Sequence, residues 1–173
     1  MEEVLKLNPL MAQVDSIRAS YKEFIQSVQD LGNKAKGHTA GSNKMGGSFL
    51  RWIAGSHVST PRDMLCEQFL EKVEEQLAQF SALLESAEAG ERSEACDALA
   101  ELMLEVRPVK SNSTTDLMRR AMASRFTPFL PNLSTAALKK HIEAYQTSYR
   151  PRDLLPVEKT LLADLDKELK NRE

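Results

Sequence analysis

The chain has 173 residues, 42% hydrophobic and 28% charged, with a formal net charge of −2, the ordinary balance of a soluble domain long enough to bury a real core. Only 6% are aromatic, which disfavours a β-sandwich and favours helices packed by Leu, Met and Ala. No run approaches the roughly 18 to 20 apolar residues that span a bilayer, and the start, MEEVLKLNPL, has acids where a signal peptide needs bases. Cys66 and Cys96 sit in helical patterns and not in a spaced framework, so a reducing cytoplasm is the expected location and no membrane the expected partner.

In chain order, Asn8 and Pro9 suit a helix start and Gly32 a stop. Between them Leu10, Val14, Ile17, Tyr21, Phe24, Val28 and Leu31 recur at steps of four and three, a continuous apolar seam. Met11 and Ile25 widen it, which predicts packing on more than one neighbour. Six of the seven glycines fall within residues 32–61, Gly32 included. That composition predicts a basic, glycine-rich arm over about 33–59, with SFLRWIAG as its one apolar island. Thr60-Pro61-Arg62-Asp63 then reads as a capping box opening a helix, with Leu65, Phe69, Val73, Leu77, Phe80 and Leu84 inward. After a turn around Gly90, Ser93 restarts a helix with Cys96, Leu99, Met103 and Val106 in line, ended by Pro108. The short connection predicts an antiparallel hairpin. Ser113 with Asp116 opens a short helix, TPFLPN is a turn, and Ser134 starts a helix with Leu138, Ile142, Tyr145 and Tyr149 on one face. Leu161, Leu162, Leu165 and Leu169 mark the last helix, from about Pro156. The fold class expected is all-α: one helical bundle over 1–173.

Charge is segregated beneath the small net value. Residues 31–62 hold no acid, residues 63–106 carry twelve acids against Lys72 and Arg92, and residues 107–142 turn basic again, with Asp116 their one acid. One reading is that acidic and basic blocks pack side by side within the fold. The other is that the basic blocks converge on a surface for an anionic partner. Candidate contact residues are Lys34, Lys36, Lys44, Phe49, Arg51 and Trp52 in the first block and Arg119, Arg120, Arg125, Lys139 and Lys140 in the second. Phosphates need clustered cations and bases an aromatic to stack on. The twelve intervening carboxylates would repel a long polyanion, whereas a protein partner tolerates a mixed surface.

Catalytic chemistry finds no support in the sequence. In GHTAGSNKMGGSF, residues 37–49, a glycine stands where a phosphate-binding loop requires lysine, and no strand precedes it. His38, His57 and His141 share no metal spacing with the cysteines, and His141 is expected at the edge of its helix's apolar face. Residues 62–80, RDMLCEQFLEKVEEQLAQF, resemble the helical core of the primosomal replication protein N-double-prime family over that one helix. The arginine-rich character of that family is missing from the stretch. What the resemblance implies is a small increment toward nucleic acid. The expected function is a non-catalytic interaction protein (an adaptor, regulator or chaperone-like module) without cofactor or metal, meeting a protein or a second copy of itself. The alternative is binding of single-stranded or structured nucleic acid through 31–62 and 107–142.

Overall fold

The computed structural model describes residues 8–39, 60–108 and 113–173, and side chains over 8–33, 60–108 and 114–173. Among the described residues six α-helices follow one another: α1 Pro9–Thr39, α2 Pro61–Glu85, α3 Ala89–Val106, α4 Ser113–Phe126, α5 Thr135–Ser148 and α6 Pro156–Arg172. Short 3-10 turns at Thr127–Asn132 and Pro151–Asp153 lead into α5 and α6, and there is no strand among the described residues. The fold is an all-α bundle.

Local chemistry sets most boundaries. The Leu10 amide donates to Asn8 Oδ1 at 3.0 Å. At α2 the Asp63 amide donates to Thr60 Oγ1 at 3.1 Å and the Thr60 amide to Asp63 Oδ2 at 3.4 Å, a closed capping box. Ser134 caps α5 by accepting from the Ala137 amide at 3.1 Å. Two expectations are corrected. Helix α1 does not stop at Gly32 but runs on to Thr39, because a lone glycine costs a helix only about 1 kcal/mol and the residues after it, NKAKGHT, include helix-favouring Lys and Ala with no proline. Helix α3 begins at Ala89, with Gly90 inside its first turn, and not at Ser93.

The core is continuous from α1 to α6. Helix α1 makes close backbone contact with both α2 and α3, while α2 and α3 make less with each other than either makes with α1. Helix α1 is thus laid against both helices of the expected hairpin, and these two pack on α1 more than on each other. The width of the α1 seam is the reason: Leu10, Val14, Ile17 and Phe24 are buried, and Met11, Tyr21, Ile25 and Val28 flank them against the core. On the α2 side, Phe24 stacks on Phe69 with centroids 4.9 Å apart and planes 11° apart. Gln13 Nε2 donates to Gln76 O at 3.0 Å and Gln76 Nε2 to Ser20 Oγ at 3.0 Å, and Lys72 pairs with Glu23 at 3.4 Å. Partners thus descend along α2 as they rise along α1, so these two helices are antiparallel. Phe129 of the first 3-10 turn meets Phe80 edge-on at 5.4 Å, joining α2 to the C-terminal half.

Candidate interaction site: an arginine–tyrosine cluster and the groove beside it

Of the described cations in the second basic block, Arg107 and Arg119 are buried and Arg125 and Lys140 are paired across helices. Arg119, which the sequence placed among outward-facing cations, is 1% exposed. Its Nε donates to Glu158 Oε2 at 3.2 Å, its Nη2 reaches Glu158 Oε1 at 2.5 Å and the Asp153 carbonyl at 2.9 Å, and Nη1 lies 3.7 Å from Asp116. Glu158 is itself 0% exposed, and its Oε1 also accepts from the Leu155 amide at 2.9 Å, so it caps α6 as well. Burial alone would lower the Arg119 pKa, but the hydrogen bond and charge of Glu158 outweigh it and hold the guanidinium above its ordinary value. The physical reason for the correction is that α4 turns Arg119 toward α6, where a carboxylate waits. Arg119 is unavailable to a partner.

Arg125 and Lys140 sit at the surface but are paired across helices, with Glu74 of α2 at 3.1 Å and Glu101 of α3 at 2.7 Å. Arg120 and Lys139 are exposed and form no ion pair among the described residues. Lys34 and Lys36 fall within the helical span of α1, but their side chains lie outside the described residues. Lys44, Phe49, Arg51 and Trp52, with the whole 40–59 stretch and its apolar island, lie outside them altogether.

Sequence reasoning missed the centre of this region. Arg107, the first residue past α3, is 9% exposed. Its guanidinium carbon lies 4.4 Å from the Tyr145 ring centroid and 5.1 Å from that of Tyr149, and its Nη2 donates to Ser148 Oγ at 2.8 Å. The Arg119 guanidinium lies 4.2 Å from the same Tyr149 ring, whose hydroxyl donates to the Pro108 carbonyl. Such cation–π contacts strengthen as they lose water. Tyrosines at 145 and 149 share one helix face, and that i, i+4 pair was the available signal; the arginines that join it come from other helices.

His141 is also corrected. It is 2% exposed, stacked on Phe126 at 4.7 Å and 19° and 5.5 Å from Tyr145. It lies in the core and not at the edge of its helix, because Phe126 at the end of α4 stacks on it and Tyr145, one turn on along α5, borders it. Burial first, and the Arg107 charge second, push its pKa down to about 3. Burial, moderated by Arg107, pushes Tyr145 up to about 12.

Beside Arg107 runs a groove of about 360 Å³ between α1, the end of α3 and the start of α4. Tyr21, Phe24, Ile25 and Val28 form its α1 wall, Val106 and Met118 line it elsewhere, and Arg62 and Arg107 are its charged groups. No group of three His, Cys, Asp or Glu side chains among the described residues is arranged to hold a metal, and no helix among them is long and apolar enough to cross a membrane. Comparison with protein families, curated proteins and solved structures finds no match.

Proposed function

We propose that this chain is a non-catalytic interaction protein, an adaptor, regulator or chaperone-like module of the cytoplasm, that meets a protein partner or a second copy of itself. The observation that carries the reading is the fate of the second basic block. Arg119 is neutralised by buried Glu158, and Arg125 and Lys140 face Glu74 and Glu101 of the acidic helices. Much of that block's charge is met by carboxylates, which leaves Arg120 and Lys139 as its exposed cations without an ion pair among the described residues. A surface of that kind offers few phosphate contacts, and phosphate contacts dominate nucleic-acid affinity.

The test uses the full chain on an affinity support in extract of its own cell, followed by reconstitution with any protein recovered. A complex of fixed stoichiometry rebuilt from purified components, or a stable homo-oligomer by light scattering, supports the reading. Labelled oligonucleotides provide the opposing arm. Anisotropy that rises at about 50 mM salt and collapses by about 200 mM, and that is lost on changing Arg120 and Lys139 to Ala, would transfer the function to nucleic acid.

A further inference from the structure

Helix α4 forms the floor of a trough of about 480 Å³, with Leu117, Arg120 and Ala121 along it and Leu70 of α2 and Val157 of α6 at its flanks. No carboxylate lines it. Arg120 is exposed and joins none of the ion pairs formed among the described residues. A cation over an apolar floor suits a partner that brings carboxylates and an apolar side chain together.

Such a surface lies beside the trough. The outer ridge of α2 carries Glu67 and Glu71, both exposed and likewise in none of those ion pairs. It also carries Met64, 52% exposed, the one large apolar side chain that stands out among the described residues. The levels match. Thr114 Oγ1 donates to Asp63 Oδ1 at 2.5 Å and Arg125 Nη2 to Glu74 Oε2 at 3.1 Å, and both ties join residues 51 apart. Helices α2 and α4 therefore run parallel in one register, with Arg120 level with Phe69, midway between Glu67 and Glu71. Met64 falls level with the first turn of α4, just ahead of Leu117. A twofold axis parallel to both helices and midway between them keeps every level while exchanging the helices. It sets α2 of one copy on α4 of the other. The patch is its own complement, which is the condition for an isologous contact.

We propose that a second copy of this chain occupies the trough. Arg120 of each copy meets Glu67 and Glu71 of the other, and Met64 of each covers the Leu117 end of the other's floor. Apolar contact supplies the attraction and the charges set the register, since exposed ion pairs contribute little each. The proposal rests on the interaction reading above and commits it to self-association.

Sedimentation velocity on the full chain is the test. The expected result is a monomer–dimer equilibrium that shifts with concentration and stops at the dimer, because a twofold contact closes. Arg120→Glu and the double change Glu67→Arg, Glu71→Arg each weaken the dimer roughly a hundredfold or more, because like charges then meet at both symmetric contacts. Mixing the two variants restores it as a heterodimer, in which every crossed contact again joins opposite signs. That recovery also shows that both variants fold. Met64→Asp weakens the dimer as well. A chain that stays monomeric overturns the proposal. So does a dimer that both reversals leave intact, or a mixture that does not recover. If a monomeric chain forms a complex of fixed stoichiometry with another protein, the interaction reading stands without this one. If it shows instead the salt-sensitive oligonucleotide binding described above, both readings fall.

Discussion

Replacing Glu158 by Gln leaves the Arg119 guanidinium buried without its counter-charge, and breaking a buried pair in this way costs about 3–5 kcal/mol. Urea unfolding should show that loss, while the joint change Arg119→Met, Glu158→Leu should recover most of it, because a well-packed apolar pair replaces an ion pair without leaving a charge behind. If the joint variant were as unstable as Glu158→Gln, the pair would matter through the α6 cap and the Asp153 carbonyl more than through its charge. His141 gives a second measurement at this scale. Its imidazole titrates near 6.5 when free and at about 3 in the fold. Between those values the unfolded chain holds a proton that the folded chain lacks, so stability is complete above about 6.5 and declines as pH falls toward 3. At about pH 5 this one group costs about 2 kcal/mol. In His141→Leu the fall in stability between about pH 7.5 and 5 should shrink by that amount; an unchanged fall would mean that the carboxylates set the acid limit instead. The thiols offer a simpler check. Burial, then nearby carboxylates, push Cys66 up to about 11 and Cys96 up to about 12, so neither should react with a thiol reagent at neutral pH until the chain is unfolded.

The elements themselves were largely legible before the structure, for local reasons. Caps act over three residues and apolar periodicity over four, so Thr60–Asp63, Ser134 and the seams of α1 and α2 announce themselves. Thr60→Ala should cost about 1 kcal/mol through the lost cap, measured by thermal unfolding. Gly32 misled because a glycine signals a stop only when the following residues abandon the helix. No atom lies within 4 Å of a β-carbon built at Gly32, so Gly32→Ala should stabilise α1 by about 0.5–1 kcal/mol. Destabilisation by that change would show that the glycine serves a contact and not merely the chain's local freedom. The site was less legible. Arg107 stands beside a proline in sequence, and nothing local announces that Tyr145, Tyr149 and Arg119 will gather around it from helices 12 to 42 residues away.

Across the described residues, the second basic block lies in part against the acidic helices, in line with the first of the two readings that the sequence allowed. Arg125 and Lys140 approach the acidic helices from α4 and α5, and Arg18 of α1 lies 3.6 Å from Glu105 of α3. Exposed pairs of this sort contribute little each, so their role is to choose which face meets which. The exchange Glu101→Lys with Lys140→Glu tests this: each single reversal puts like charges together and should lower the melting temperature, and the double exchange should restore it. Singles that cost nothing would leave apolar packing as the sole guide to register.

The Tyr149 ring, held between two arginines with its hydroxyl on the Pro108 carbonyl, has a consequence for how the protein comes apart. Detaching α4 withdraws Arg119 from the ring and from Glu158; detaching α5 removes the ring itself; detaching α6 strips Arg119 of its carboxylate. Each of these leaves a buried charge or ring without its complement, so no one of the three helices can open cheaply while the others stay closed. Their interior amides should therefore exchange hydrogen for deuterium through one shared opening and at one common free energy. In α1 the turn around Gln29, Asp30 and Asn33 is exposed, and its amides should be lost before those of the three tied helices.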